Sequence, residues 1–399
     1  MGIRIALFTE KFAPDRGGIA CGSERIASLL AKNGHDVTVI LPSGRLHPGD
    51  REETQQGGYR LISFGMSAAS GETLSDWHDV AVAAQKKHHI DLFHALHASY
   101  AAWAAVYGAR WIGIPSVVTT RGADLDTAIG DPKRLAPVTW AFQMADAVTA
   151  STPELGRKVH TLVGERAVYL APPSANPEIF RRVTDGPDVR RKLGFDGARV
   201  IGFSGEAKKR KGLVTLLKAF HRLAQEDASY RLLMVGSVKR EDAHLVAGFR
   251  KAHPELAKSV RLLPWKGPAD LARLYNCMDV LAIPAVRTAG TTAVIEGMAC
   301  ELPVVVTDVC GLHETVKHET TGMVVPPRDD AALAEALRRL FREGEFRQKL
   351  GVTARAWALG EATPEKEAAA LNHAYRRALG QGKTGDTVRF EPIPGQRKR

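Results

Sequence analysis

Short apolar runs alternate along the chain with segments in which apolar residues recur at helical spacing. The runs are three to six residues long and rich in Val and Ile, which is typical of strands buried on both faces. In the helical segments apolar residues lie three or four positions apart, for example Ile26, Leu29 and Leu30. This alternation predicts an α/β protein with parallel sheets covered by helices. The predicted strands are residues 3–8, 37–41, 116–120, 147–150, 200–203, 232–235, 260–263, 280–283, 304–307 and 323–325.

The ends of the first helix can be predicted from capping residues. Ser23 is the expected N-cap, and Asn33 with Gly34 is the expected stop. A further uncharged run, residues 98–109, is too short to span a membrane and predicts a buried helix.

The length of 399 residues favours two domains, because a single doubly wound sheet of that size would be unusually large. The Pro- and Gly-rich segment 172–188 separates two series of strands and helices. We therefore expect two doubly wound, Rossmann-like domains, residues 1–180 and 186–359. Ligands bind beyond the carboxyl ends of parallel strands, so two facing sheets predict an interdomain cleft. Residues 381–399, with a net charge of +3, are predicted to be a mobile basic tail.

Composition narrows the class of protein further. The net charge of +11 favours anionic partners such as nucleotide phosphates, nucleic acid or anionic membranes. No apolar run is long enough for a transmembrane helix, and no secretory signal is recognisable. The four cysteines are scattered without a CxxC pair, so neither a disulfide scaffold nor a zinc site is expected. The sequence predicts a cytoplasmic protein with at most peripheral contact with the inner face of the membrane.

Three loops carry candidate chemistry. Gly17 and Gly18 precede the first helix, where backbone amides can approach an anion, although a flexible surface turn is an equal interpretation. Residues 205–212 place four consecutive cations between a strand and a helix, where they oppose the helix dipole, so a bound anion is the favoured explanation. Residues 284–300 lead through small residues into a helix that carries Glu296, a carboxylate suited to a ribose diol.

The chain resembles the family 4 glycosyltransferases of the GT-B fold. The resemblance rests on GHDV at 34–37, KG at 211–212, EGMACELPVV at 296–305 and TGMVVPP at 321–327. It implies that residues 186–359 bind a nucleotide-sugar donor and that residues 1–180 bind the acceptor. The helix around 360–380 is then expected to pack back on the first domain.

The resemblance also implies the reaction and its donor contacts. A sugar moves from a UDP-, GDP- or ADP-sugar to a hydroxyl of a glycan, a lipid-linked compound such as an envelope glycan precursor, or a small molecule. Transfer retains the anomeric configuration and needs no metal or other cofactor. Glu296 holds the ribose, while Lys211, with Lys208 in place of the usual arginine, holds the pyrophosphate. The other implied donor contacts are Gly17, Gly18, Trp265, Lys266, Gly290, Thr291 and Thr292. Trp265 has a core anchor as its alternative interpretation.

Two residues are predicted to act in catalysis, Arg121 and Lys211. Both would neutralise charge on the leaving phosphates, since preorganised cations can do this without a metal. An arginine stays charged and cannot act as a base, so the leaving phosphate is expected to take the acceptor proton, as in related retaining enzymes. Arg121 has an alternative interpretation as an ion-pair partner of Asp124 and Asp126. His97 and Asp124 are predicted to contact the acceptor, with a structural histidine as the alternative for His97.

The chain departs from the family pattern at three positions. Thr288 stands where the first of two glutamates is usual, Glu206 where an arginine is usual, and Arg121 where a histidine is usual. The missing glutamate at Thr288 keeps open a nucleotide-sugar-binding protein without turnover. A nucleotide-sugar epimerase on the same fold is a second alternative. Nucleic-acid binding is disfavoured because the positive charge has a local explanation and no recognised motif accompanies it.

Overall fold

The computed structural model describes residues 2–15, 17–67, 72–164, 166–183, 186–287 and 290–381. The chain divides into two units. The first comprises the chain up to Pro172 together with the helix that follows Lys366, and the second comprises Pro173–Lys366. Each unit is built around its own mainly parallel sheet.

The first unit contains an eight-stranded sheet in the order β3-β4-β2-β1-β5-β6-β7-β8. All neighbouring strands in it are parallel except β3 and β4, which form an antiparallel hairpin at the edge. Its elements are β1 (Arg4–Phe8), α1 (Gly18–Lys32), β2 (Asp36–Pro42), β3 (Arg51–Gln56), β4 (Tyr59–Phe64), α2 (Glu72–His88), β5 (Leu92–Ala95), α3 (Tyr100–Ile112), β6 (Ser116–Thr120), α4 (Ala123–Ile129), α5 (Pro132–Met144), β7 (Ala147–Ala150), α6 (Pro153–Val163) and β8 (Val168–Leu170).

The second unit contains a six-stranded parallel sheet in the order β11-β10-β9-β12-β13-β14. Its elements are α7 (Gly186–Leu193), β9 (Arg199–Ser204), α8 (Leu213–Glu226), β10 (Tyr230–Val235), α9 (Ala243–Ala252), β11 (Val260–Leu263), α10 (Pro268–Asn276), β12 (Val280–Ile283), α11 (Thr292–Ala299), β13 (Val304–Thr307), α12 (Leu312–Thr315), β14 (Met323–Val325), α13 (Asp330–Arg342) and α14 (Gly344–Glu361). A last helix, α15 (Pro364–Ala378), begins here and ends in the first unit.

The apolar stripe of α15 belongs to the core of the first unit. Leu371 and Tyr375 are almost fully buried in the cluster that holds Ile5 and Val39 of the central strands. Fully burying a large apolar side chain stabilises a fold by about 1.5–3 kcal/mol. The terminal helix therefore contributes to the folding free energy of the first unit.

Two features of the first unit differ from the sequence-based expectations. The sheet is not wholly parallel, because the polar strand β3 pairs antiparallel with β4 and neither strand was predicted. The helix α1 starts at Gly18, so Ser23 is not its N-cap. The Ser23 hydroxyl is buried and lies 2.9 Å from the hydroxyl of Thr9, which explains its placement inside the helix.

Among the helices in the described ranges, none combines the length and apolar character needed to cross a bilayer. The basic tail predicted for 381–399 falls, beyond Gln381, outside the described residues.

Candidate functional site

In the second unit the strand order reverses between β9 and β12. Parallel sheets bind ligands at such a reversal, because the loops that follow the two strands diverge and leave a crevice at their carboxyl ends. The loop after β9 carries the basic run 208–211, and the loop after β12 leads through residues 290–291 into α11. The predicted phosphate and ribose contacts therefore follow neighbouring strands at one edge of the sheet.

The basic run forms a single 3₁₀ turn, Lys209–Lys211, which ends at Gly212. Gly212 has a φ of 79°, and a Cβ at this position would lie 1.7 Å from the carbonyl oxygen of Pro284. Only glycine fits such a close approach of two backbones. The buried carboxylate of Asp242 accepts a hydrogen bond from the Lys209 amide at 2.9 Å and fixes the start of the turn. The loops after β9 and β12 are thereby held against each other.

Lys211 is the strongest candidate for a phosphate ligand in this turn. Burial, together with the positive charges of Lys208 and Arg210, lowers the pKa of Lys211 to about 8. Lys208 instead pairs with Glu206, the acidic residue that stands where the family usually has an arginine. The charge of Lys208 is thus partly compensated before any ligand arrives, whereas a phosphate beside Lys211 would relieve repulsion among the cations.

Glu296 lies one turn into α11 and is half-buried. The hydroxyl of Tyr275 donates a hydrogen bond to its carboxylate at 3.0 Å. Burial raises the pKa of Tyr275 well above its usual value, so this hydroxyl keeps its proton and remains a donor. An oriented carboxylate with further acceptor capacity suits a pair of ribose hydroxyls.

The turn before α11 supplies the other predicted contacts on this loop. Thr291 is buried at the N-cap position, Gly290 is exposed, and Thr292 is the first residue of the helix. The amides at the start of this helix are suited to an anion, because they have no carbonyl partners within it. Thr288 lies outside the described residues.

Trp265 and Lys266 lie between β11 and α10, two strands away from β9. Trp265 is half-buried, and its indole N–H donates to the Ser237 hydroxyl at 3.3 Å, while Lys266 is exposed. A side chain that is neither in the core nor fully exposed is available to a flat ligand group such as a base. The core-anchor interpretation does not fit Trp265, since it lies outside the buried cluster of this unit.

The first unit has its own reversal of strand order, between β1 and β5. The loop after β1 ends at Gly17 and Gly18, where α1 begins, and the loop after β5 contains His97. Gly17 has a φ of 125°, which favours glycine. Arg121 directly follows β6, the next strand along. The predicted acceptor contact His97 and the predicted catalytic residue Arg121 therefore lie at one edge of this sheet, together with Gly17 and Gly18, which were predicted as donor contacts.

Arg121 is held by a carboxylate that the sequence analysis missed. Its guanidinium lies 3.7 Å from the carboxylate of Glu367, at the start of α15, and the same carboxylate accepts a hydrogen bond from Arg25 at 2.8 Å. Only 1% of the Glu367 side chain is exposed. Burial lowers the pKa of Arg121 to about 10, so it remains a cation at neutral pH. The alternative interpretation named Asp124 and Asp126 as the ion-pair partners of Arg121. In the structure the ion-pair partner of its guanidinium is Glu367.

Asp124 has a structural role that differs from the predicted acceptor contact. Its half-buried carboxylate accepts hydrogen bonds from the amides of Ala98 at 2.9 Å and Arg121 at 3.2 Å. It therefore fixes the loops after β5 and β6. Asp126 pairs with Lys158 at 2.9 Å.

The two histidines after β5 differ in their surroundings. His94 is fully buried and lies within hydrogen-bonding distance of Tyr375 and Thr119, which makes it structural. His97 is 6% exposed, and its Nδ1 has no hydrogen-bond partner among the described residues. Burial, with the nearby charge of Arg121, lowers the pKa of His97 to about 3, so the ring is neutral and able to accept or donate a hydrogen bond. A buried polar atom without a partner costs free energy unless a ligand or water satisfies it.

Glu367 could have been found from the sequence, whereas Tyr275 could not. Glu367 lies four residues before Leu371 and eight before Tyr375, so it interrupts the apolar stripe of α15 with a charge. A carboxylate on a buried helix face indicates a buried ion pair. Tyr275 is simply one more apolar position on α10, and only the fold brings it to Glu296.

Comparisons with known proteins agree with this architecture. Residues 17–173 match the model of the "glycosyl transferase 4-like domain", and residues 185–357 match that of "glycosyl transferases group 1". The D-inositol 3-phosphate glycosyltransferase of Corynebacterium diphtheriae is 28% identical over 89% of this chain and 90% of its own length. The N-acetyl-α-D-glucosaminyl L-malate synthase of Bacillus anthracis is 22% identical over 93% of this chain and 97% of its own.

Solved structures show the same fold at lower identity. The sucrose-phosphate synthase of Thermosynechococcus elongatus aligns with a TM-score of 0.79 and 22% identity, covering 95% of this chain and 99% of its own. Anabaena HepE in complex with UDP-glucose aligns with a TM-score of 0.78 and 17% identity, covering 94% and 99%. Two Rossmann-like units with these neighbours define the GT-B class of glycosyltransferases. The chain belongs to glycosyltransferase family 4 and is an enzyme of glycosyl transfer.

Proposed function

We propose that this glycosyltransferase takes its sugar from a nucleoside diphosphate sugar bound by the second unit. The observation that carries the proposal is the placement of Lys211 and Glu296 beside the reversal between β9 and β12. Lys211 lies in the loop after β9, and Glu296 lies one turn into α11, the helix that follows β12. A cation and a carboxylate at these two places match a diphosphate joined to a ribose. The HepE structure whose complex contains UDP-glucose has the same fold, which supports this donor class.

For the acceptor we propose a small anionic molecule with a free hydroxyl, bound at the carboxyl edge of the first sheet. Arg121 supplies a cation. The Nδ1 of His97, which has no hydrogen-bond partner within the described ranges of the chain, supplies a hydrogen-bonding atom. Two relatives carry names that include an inositol phosphate and malate, which are both anionic. This acceptor class is preferred to an uncharged glycan because Arg121 stays protonated at neutral pH and its guanidinium can bind an anionic group.

The proposed mechanism separates binding from proton transfer. Lys211 and the amides at the start of α11 stabilise the charge that develops on the leaving diphosphate. His97 is neutral and hydrogen-bonds the acceptor hydroxyl, but its pKa of about 3 makes it too weak a base to keep a proton at neutral pH. The proton therefore passes to the leaving phosphate, and the sugar is transferred with retention of its anomeric configuration.

Calorimetric titration with UDP tests the donor site. Glu296→Gln is expected to weaken UDP binding by about 10- to 100-fold, because hydrogen bonds to a charged group contribute about 1.5–3 kcal/mol. Glu301→Gln is the matched control. It removes a carboxylate that lies just beyond the end of α11 and pairs with Arg182 at 3.0 Å. It should leave UDP affinity unchanged. Equal UDP affinity in wild type and Glu296→Gln would refute the ribose role. Tight binding with no transfer to any anionic acceptor would instead indicate a binding protein without turnover.

We also propose that the first unit contacts an anionic membrane surface through α3 and α5. A groove of about 690 Å³ between these helices is lined by Tyr100, Trp103, Tyr107 and Trp140, and the nearby Trp111 is 70% exposed. Between them the two helices carry three cations and no carboxylate. Trp and Tyr favour the interface of a bilayer, and each nearby cation adds about 1 kcal/mol with anionic lipids.

Vesicle sedimentation tests this contact. Wild type is expected to sediment with vesicles containing phosphatidylglycerol and not with pure phosphatidylcholine. Trp111→Ala should release much of the bound protein, whereas Val352→Ala, at a position 50% exposed on the second unit, should not. Equal sedimentation of wild type and Trp111→Ala would exclude this face as the contact.

A further inference from the structure

A concave pocket of about 520 Å³ lies on the second unit beside the basic turn. Its walls come from the turn itself, the first half of α8, the loop after β12 and the residues around the start of α13. This volume is within the range of pockets that bind small molecules, about 300–1,000 Å³. The pocket is therefore large enough for a phosphorylated metabolite.

The charged groups of this pocket are strongly unbalanced. Its lining contains five cations and one carboxylate: Lys209, Arg210, Lys218, Arg287, Arg328 and Asp330. The Asp330 carboxylate accepts a hydrogen bond from Arg222 at 2.7 Å, so its charge is already compensated by a residue that does not line the pocket. A concave surface lined by one sign of charge concentrates the opposite sign within it.

The pocket shares no residue with the donor site proposed above. The basic run divides between the two: Lys209 and Arg210 line the pocket, whereas Lys208 and Lys211 do not. Lys208 is engaged by Glu206, and Lys211 is the proposed diphosphate ligand. Four consecutive cations thus serve two separate places, which explains why the run is longer than one diphosphate requires.

One lining residue has a backbone conformation that only glycine adopts freely. Arg328 has a φ of 65°. A residue other than glycine in the left-handed region is strained, and such residues often lie at functional sites. His89, Glu301 and Glu319 share this conformation among the described residues, so the strain of Arg328 supports the proposal only together with the charge of the pocket lining. The side chain of Arg328 is therefore present in the pocket at a conformational cost that a glycine would avoid.

We propose that this pocket is a second anion site, which binds a small phosphorylated molecule independently of the nucleotide sugar. The ligand is identified by its phosphate group, because arginine guanidiniums form paired hydrogen bonds with phosphate oxygens and lysines add point charges. The buried Thr215 contributes a hydroxyl to the same lining. The test of this second site rests on the proposed function in one respect only, namely that UDP is used to fill the donor site.

Calorimetric titration of pyrophosphate into protein saturated with UDP tests the proposal. Wild type should show one further binding event, and Arg328→Gly should weaken it at least 10-fold. Arg328→Gly is expected to fold, because glycine suits the φ at this position, so a loss of binding would not reflect misfolding. Its unfolding midpoint should stay within a few degrees of that of wild type. The double variant Lys218→Ala/Arg287→Ala should also lose the event.

The double variant Lys251→Ala/Lys258→Ala provides the matched control, since it removes two exposed cations elsewhere on the same unit. It should bind pyrophosphate as wild type does. Absence of the second event in wild type, or equal pyrophosphate affinity in all variants, would overturn the second site. Failure of UDP itself to bind would instead refute the proposed donor. Pyrophosphate would then be titrated without UDP into the same variants, and their affinities would show whether the second site exists.

A parallel titration with glucose 6-phosphate distinguishes a phosphorylated metabolite from an inorganic anion. If only pyrophosphate binds, the site takes inorganic anions alone and the assigned ligand class is overturned.

Discussion

Lys211 shows how one side chain can connect ligand binding to pH. In the folded protein its pKa is about 8, because burial and two neighbouring cations disfavour its charge, whereas the ordinary value is 10.5. The charged form is the one that binds a diphosphate. Below pH 8 the folded protein therefore has a charged lysine ready for the donor, although keeping that charge partly buried costs stability.

We predict that UDP affinity falls as pH rises through about 8, once Lys211 in the free protein loses its proton. The phosphates of UDP are already ionised there, so they do not contribute to a decline near pH 8. Folding stability changes in the opposite direction: between pH 8 and 10.5 the folded state is neutral at this position while the unfolded state is charged, so stability from this group increases. Calorimetry at several pH values measures the first effect and urea unfolding the second.

Lys211→Arg supplies the control, because an arginine stays charged across this range. Its UDP affinity should be nearly independent of pH between 7.5 and 8.5, where the uracil ring of UDP keeps its N3 proton. An unchanged pH dependence in Lys211→Arg would show that another group causes the decline.

At the scale of secondary-structure elements, α15 is joined to the first unit by two kinds of contact. Its apolar face packs in the core through Leu371 and Tyr375. At its start, Glu367 shares a buried carboxylate between Arg25 and Arg121. Removing one partner of a buried ion pair typically costs about 3–5 kcal/mol, because the other charge is left without compensation.

We predict different outcomes for the two sides of this ion pair. Glu367→Gln removes the buried carboxylate that Arg25 and Arg121 share and should lower the free energy of unfolding by about 3–5 kcal/mol. Arg121→Ala leaves the pair between Glu367 and Arg25 intact, so its stability loss should be smaller, while turnover per folded molecule should fall at least 10-fold. Arg121→Lys should restore little of the lost turnover, since a point charge does not reproduce a planar guanidinium. Urea unfolding and initial rates of UDP release measure the two effects. A large stability loss with normal turnover in Arg121→Ala would make Arg121 a structural residue.

The same element shows which features can be predicted from sequence. The stripe Ala368, Leu371 and Tyr375 indicates a helix with one buried face, and the alternation of runs indicates the sheets. The hairpin β3–β4 was missed because β3 is polar and exposed throughout, so it lacks the apolar signal on which the prediction depends. The partner of Arg121 was missed because Glu367 lies 246 positions further along the chain. Spacing can place a charge on a helix face, but only the folded chain determines which distant charge meets it.

At the scale of the whole molecule, the two units have separate cores. Ile5 and Val39 belong to the buried cluster of the first unit, whereas Ile201 and Leu281 belong to a separate buried cluster in the second. A ligand that binds one folded unit stabilises that unit by mass action, and at 100 times its dissociation constant the stabilisation is about 2.7 kcal/mol. The proposed donor contacts Lys211 and Glu296 both belong to the second unit.

We therefore predict that scanning calorimetry resolves two unfolding transitions and that saturating UDP raises only one of them. For units of this size 2.7 kcal/mol corresponds to about 5–11 °C. Hydrogen exchange followed by mass spectrometry identifies the transition, since peptides from β9 and β12 should gain protection with UDP while peptides from β1 and β5 should not. Glu296→Gln at the same UDP concentration is the control and should show a much smaller shift. A single transition that moves as a whole, or protection that appears equally in both sheets, would show that the two cores unfold cooperatively and that donor binding is not confined to the second unit.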